Sequence, residues 1–210
     1  MNNEEIQLQL FNKAMTLAAQ NGWSSMSVAQ AAQQADIPLN LARRYFPCKS
    51  SLLLYLNRLA DETALEQKYQ DQPVAEYLFD LFMSRFDLFQ EYRNGIISAL
   101  RTLPFNPPLA IMMGIATQNS MRWIAESAQI NTHGVRGLAC IKGLTAIWTL
   151  TLRVWIKDDS QDLSQTMASL DQAIKKAGKL APYFVTKTND THAESASFAK
   201  DESYNLDENK

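Results

Sequence analysis

Pro38 and Pro47 confine the stretch "DIPLNLARRYFPCKS" (36–50) more tightly than any other feature constrains its neighbours. The residue before a proline resists helical angles, while proline itself suits a first helical turn, so Asp36-Ile37-Pro38 breaks one helix and opens another. Pro47 ends that second helix, which can therefore run only over about 38–45. So short a helix is marginal alone. Leu41, Tyr45 and Phe46 are expected to hold it, leaving Leu39, Asn40, Arg43 and Arg44 on other faces. Upstream, Ser27 and Gln30 form an S-x-x-Q capping box, in which each side chain satisfies the other's orphan backbone donor, so a small alanine-rich helix starts at Ser27. Before it, Ile6, Leu10, Ala14, Leu17 and Ala18 recur at the period of a helix with one buried stripe, over 4–20. Asn3 can cap that helix and Gly22 can end it. A fourth helix is expected from near Cys48 to about residue 70.

From Pro73 onward the chain reads as long helices rich in aromatics and methionine: 74–92, 94–102, 107–129, 135–156 and 162–180. The 210 residues hold seven glycines and seven prolines, too few for many short strands and turns, so the fold class is all-α with about nine helices. The 135–156 segment is apolar almost all round, which predicts burial on more than one side. Arg136, Lys142 and Arg153 interrupt it, so no membrane span is expected. The first residues lack the basic-then-apolar order of a secretory signal, which predicts a cytoplasmic protein. Residues 186–210 are acidic and polar and read as a disordered tail. The two cysteines lie far apart and only two histidines are present, so neither a disulfide framework nor a metal site is expected. Asp158, Asp159 and Asp162 lack the glycine and glutamate of a calcium loop and suit capping of the last helix instead. No nucleophile–base set and no phosphate-binding glycine loop appears, so the chain is not read as an enzyme, and no cofactor is expected.

Two short helices across a three-residue break, braced by a longer one, make a helix-turn-helix, whose second helix fits the major groove. Asn40, Arg43 and Arg44 are residue types that pair with adenine edges, guanine edges and phosphates. The net charge of the chain is −2, but three of the four cations in residues 1–57 cluster at Arg43, Arg44 and Lys49. Over about fifty residues this region resembles the TetR family of transcriptional regulators. The resemblance rests on Phe11 and Ala14, Gly22-Trp23, Ser27-Val28, Ala31, Ile37 and "RRYFPCKSSLL" (43–53). It implies a DNA-binding domain over 1–47 and a helical ligand-binding and dimerisation domain over 48–185, with 48–70 as the connecting helix. It further implies a homodimer on palindromic double-stranded DNA, in the manner of a repressor released by a small apolar ligand. Ser27, Tyr45 and Lys49 would then touch phosphates beside Leu39, Asn40, Arg43 and Arg44. Two positions depart from the family pattern: Pro38, where serine is usual, and Arg43, where a tyrosine is usual.

The body, over 78–181, is similar to a TetR-like subgroup that shares its fold with a lipid-binding accessory protein of ubiquinone biosynthesis. That similarity implies the alternative of a lipid or isoprenoid carrier that binds no DNA. Phe82, Phe86, Phe89, Met112, Met113 and Trp123 are candidates to line an apolar ligand site, with simple core packing as the other reading of the same spacing. Helices 135–156 and 162–180 are the candidate dimer interface. There Trp148, Leu152 and Trp155 suit either an isologous four-helix contact or burial within one subunit.

Overall fold

The computed structural model describes residues 2–69 and 72–180. Those residues form nine α-helices: α1 (Asn3–Asn21), α2 (Val28–Gln34), α3 (Leu39–Tyr45), α4 (Ser50–Leu65), α5 (Val74–Glu91), α6 (Arg93–Leu100), α7 (Pro107–Ser127), α8 (Gly134–Trp155) and α9 (Ser164–Leu180). A 3₁₀ turn, Leu103–Phe105, joins α6 to α7, and no strand occurs among the described residues. The proposed acidic tail lies outside them.

Local chemistry sets most of the boundaries. Asn2 rather than Asn3 precedes α1, and the Glu5 carboxylate accepts the Asn2 N–H at 2.9 Å. The expected box at α2 is present: Gln30 N–H donates to Ser27 Oγ at 3.1 Å, and Ser27 N–H donates to Gln30 Oε1 at 2.9 Å. α4 stops at Leu65, short of the expected residue 70. Residues 66–69 and 72–73 are non-helical, with the Tyr77 hydroxyl donating to Gln67 O and the Tyr69 hydroxyl to Gln72 O, both at 2.9 Å.

The helices α1, α2 and α3 pack around Leu10, Phe11, Ala14, Ala31, Ala32 and Phe46, all essentially without solvent contact. α1 also lies along α6, while α4 is packed between α5 and α7. α8 packs on both α7 and α9. It buries Ile141, Leu144, Ile147, Trp148 and Trp155 on one side only. Its other side exposes Val135, Leu138 and Leu150, so within one subunit α8 is not buried on more than one side as its composition predicts. By length and composition alone α8 also matches a membrane span. The face it packs against α7 and α9, and the cations Arg136, Lys142 and Arg153 along it, make it a helix of the bundle.

Candidate nucleic-acid interface and effector cavity

The turn between α2 and α3 forces Asp36 to φ +53°, a left-handed angle that aspartate tolerates better than most residues because its short side chain can bond locally. Ile37, buried beneath the turn, donates its N–H to Ala32 O at 2.9 Å. Within α3 only Ala42 is fully buried, and Phe46 caps the C-terminus with 2 % exposure. Leu41 and Tyr45 are half-buried, so the anchoring falls on Ala42, Phe46 and Ile37 more than on the expected trio. Fully burying a side chain such as Phe or Ile contributes about 1.5–3 kcal/mol, enough to hold a helix that would melt alone. The remaining face presents Leu39, 52 % exposed, with Asn40, Arg43 and Arg44. Neither arginine has a hydrogen-bond or ion-pair partner among the described residues. A groove of about 530 Å³ runs between this face and the start of α2, lined by Ser27, Val28, Leu39, Arg43 and Cys48.

Two neighbours of that face are turned to structural work. The Lys49 ammonium donates to the carbonyls of Trp23, Ser24 and Met26 at 2.7, 3.1 and 3.3 Å and lies 5.7 Å from the Trp23 ring centre. Partial burial lowers its pKa from the ordinary lysine value. It closes the α1–α2 loop from the start of α4, a structural role beside the phosphate contact expected of it. The Tyr45 hydroxyl donates to Asn3 Oδ1 at 2.9 Å, lashing α3 to α1.

Behind the helix-turn-helix lies an apolar cavity of about 190 Å³. Leu53, Leu56 and Asn57 of α4, Ile96 and Ala99 of α6, Met113 of α7, and Trp148 and Leu152 of α8 contribute to its wall. Beside it is a buried polar cluster. Arg85, with no solvent exposure, pairs with Asp61 and donates to Asn57 Oδ1 at 3.1 Å. Asn57 Nδ2 donates to Ser120 Oγ at 2.8 Å, and Ser120 donates to Asp61 Oδ2 at 2.7 Å. The guanidinium carbon sits 4.6 Å from the Trp148 ring centre. Burial presses the Arg85 pKa down to about 9, so it stays charged at neutral pH. A larger apolar cleft, about 490 Å³, opens between α5, α8 and α9 and includes Cys140, whose thiol pKa is raised by burial.

No family model and no curated protein matches the sequence. Solved structures do match. The TetR transcriptional regulator from Nitrosomonas europaea superposes with a TM-score of 0.71 at 20 % identity, over 82 % of this chain and 97 % of that one. A putative TetR-family regulator from a Rhodococcus species gives 0.60 at 16 % identity, over 82 % and 98 % of the two chains. Salmonella enterica GusR gives 0.54 at 15 % identity, over 82 % and 94 %. This chain has the TetR fold. At these identities the likeness is one of backbone, and side-chain roles have to be read from this chain itself.

Within that TetR fold the candidate residues sort differently from their sequence grouping. Phe89 and Met113 line the cavity behind the helix-turn-helix. Phe82 and Phe86 do not; they are fully buried and stack on Trp148, with ring centres 5.9 and 4.5 Å away. Met112 is half-buried off the cavity wall, and Trp123 is 55 % exposed. The three residues considered for a dimer contact face inward: Trp148 and Leu152 line the cavity, and Trp155 is fully buried against Phe86, Phe89 and the Arg93 guanidinium. Trp148 and Trp155 are buried within the subunit, and Leu152 is half-buried. α9 exposes Lys175, Lys176 and Lys179, and Lys175 donates to the half-buried Asp171 carboxylate at 2.8 Å. Among the exposed apolar side chains of the TetR-like body, Ile111, Ile115, Trp123, Leu138 and Leu150 lie on α7 and α8, each more than half exposed. Sequence reading missed Asn57, Asp61, Arg85 and Ser120 altogether. A usable signal was present for two of them: Asn57 interrupts the stripe Leu53, Leu56, Ala60, and Arg85 interrupts Leu78, Leu81, Phe82, Phe86, Phe89.

Proposed function

We propose that the protein is a cytoplasmic, homodimeric transcriptional regulator, with a DNA-binding head over residues 1–47 and a ligand-binding, dimerising body over 48–185. The outward face of α3 is the observation that carries this reading: Leu39, Asn40, Arg43 and Arg44 stand exposed on a helix anchored from behind, beside the groove that starts at Ser27. An α-helix fits the major groove, and two heads about 34 Å apart would read the halves of a palindrome. Pro38 withdraws one hydroxyl from this surface and Lys49 one cation, so Arg43 and Arg44 carry most of its charge.

Release by an apolar effector is supported by the position of the cavity. α4 and α6 both form its wall, and both reach the head, α4 through Tyr55, whose ring lies 5.1 Å from that of Phe11 and 5.4 Å from that of Phe46. α6 does so through Ser98 Oγ, which accepts the Trp23 N–H at 2.7 Å, and through Tyr92, whose hydroxyl donates to Asn12 Oδ1 at 2.9 Å. An occupant that binds one spacing of the heads better than the other shifts the population toward it. Repression is the regulatory sense this supports.

Gel shifts against the promoter region of its own gene, at two salt concentrations, test the reading. Arg43→Ala combined with Arg44→Ala should weaken binding by about tenfold or more, as expected for lost base contacts. The salt dependence should flatten by about 0.9 per phosphate contact removed. Unchanged binding in the double variant would remove α3 as the reading helix. Absence of any sequence-selective shift in the wild type favours the second reading, a lipid carrier that keeps the fold, for which the inward-turned Lys49 and the net charge of only +1 over residues 1–57 speak.

A further inference from the structure

The cavity behind the helix-turn-helix has one polar pole, and its chemistry is specific. Arginine has no acceptor atom, so the bond from Arg85 requires the Asn57 oxygen to face the guanidinium and its NH₂ group to face Ser120. One N–H of that amide is fully used by Ser120. The other reaches only Asp61 Oδ2, at 3.5 Å, the outer limit of a hydrogen bond. The oxygen keeps a second lone pair. Asn57 is thus a cavity-wall residue, 9 % exposed, with one donor and one acceptor site loosely engaged.

Charge and size narrow the occupant further. No Asp, Glu, Lys, Arg or His lines the cavity, and the nearest charges, Arg85 and Asp61, cancel each other. An ionised ligand would enter without a counter-charge, at a cost that excludes it. The volume, about 190 Å³, exceeds the roughly 150 Å³ of an engineered apolar cavity that takes benzene. One or two fused rings, or a short branched chain, would fill it.

Resting on the effector reading above, we propose that the ligand is an uncharged, largely apolar molecule with a single hydroxyl, received by the Asn57 amide. The hydroxyl oxygen accepts the loosely held Asn57 N–H, and its proton goes to the free lone pair of Asn57 Oδ1 or to a threonine oxygen of the wall, Thr117 or Thr149. Binding there loads α4 directly, because Asn57 lies two turns along the helix that begins beside Lys49.

Calorimetric titration of the full-length protein with 1-naphthol, naphthalene and 1-naphthoate tests this. 1-Naphthol should bind about tenfold tighter than naphthalene, the yield of one net hydrogen bond. The naphthoate should bind at least about a hundredfold more weakly than the naphthol. In Asn57→Leu the naphthol should lose its advantage over naphthalene. Because that change also strips a partner from Arg85, Ala110→Leu provides a second variant: it narrows the cavity from α7 without touching the polar cluster and should abolish binding of all three at unchanged Tm. Equal affinity for naphthol and naphthalene, tighter binding of the naphthoate, no binding of any probe, or naphthol binding retained in Ala110→Leu overturns the proposal. A parallel gel shift separates it from the regulatory reading. Naphthol selectivity without a DNA shift supports the cavity assignment and sinks the regulator, whereas a DNA shift without selectivity does the reverse.

Discussion

Asp158 illustrates how a single side chain closes a junction between helices. It is fully buried after the end of α8, and its Oδ2 accepts the Thr166 N–H at 2.8 Å and the Thr166 hydroxyl at 2.7 Å, while Oδ1 accepts from Ser160. Burial acts to raise its pKa, but the hydrogen bonds from Ser160 and Thr166 outweigh it and hold the carboxyl at about 2, against an ordinary 3.8. A depressed folded pKa contributes stability that is present above 3.8 and disappears as pH falls through about 2. Acid unfolding followed by circular dichroism should therefore show a steeper loss across that window in the wild type than in Asp158→Asn. Asp158→Ala should cost about 1–2 kcal/mol at neutral pH in a urea titration, as loss of a helix cap does. The capping role was legible in the sequence from the run of aspartates before the last helix. The buried Arg85 cluster was not, because its partners Asn57, Asp61 and Ser120 come from two other helices and no local spacing connects them.

At the scale of elements, α6 is the joint between head and body. Gly95 lies so close to α1 that a Cβ would sit 2.8 Å from the Met15 carbonyl oxygen, a backbone atom that cannot step aside. Replacing glycine by alanine inside a helix ordinarily gains about 1 kcal/mol. Here the clash reverses the sign, and Gly95→Ala should lose about 1–3 kcal/mol in denaturant titration, in the range of overpacking. Because the displaced element links the cavity to the head, operator affinity should fall in the same variant, measured by gel shift. α3 shows the complementary case: its limits, Leu39–Tyr45, follow from two prolines visible in the sequence. Which of its side chains are anchors depended on packing, and Ala42, unremarkable in sequence, proved the most buried residue within the helix apart from its Phe46 cap.

For the whole molecule the apolar side chains left outside are decisive. Ile111, Ile115, Leu138 and Leu150 are exposed on two helices that pack against each other, and a surface of that kind marks a protein contact. For the homodimer proposed above, these side chains add α7 to the expected α8–α9 contact as a surface an isologous partner would cover. Ile115→Glu with Leu150→Glu should convert the proposed homodimer to monomers in sedimentation velocity while leaving helix content unchanged, and should weaken operator binding by removing the second head. The sequence by itself determined the helices, the helix-turn-helix and the outward arginines, because capping, proline breaks and the 3.6-residue period act between near neighbours. Only the tertiary structure decided which apolar residues became core, cavity or interface. Trp148 and Leu152, open in sequence between a dimer contact and burial within the subunit, line the cavity; Trp123, a candidate for the cavity or core, is exposed; and the Lys49 ammonium bonds three backbone carbonyls. A helix that is apolar on several sides does not state which side meets its own subunit. That is fixed by the neighbours brought to it from elsewhere in the chain.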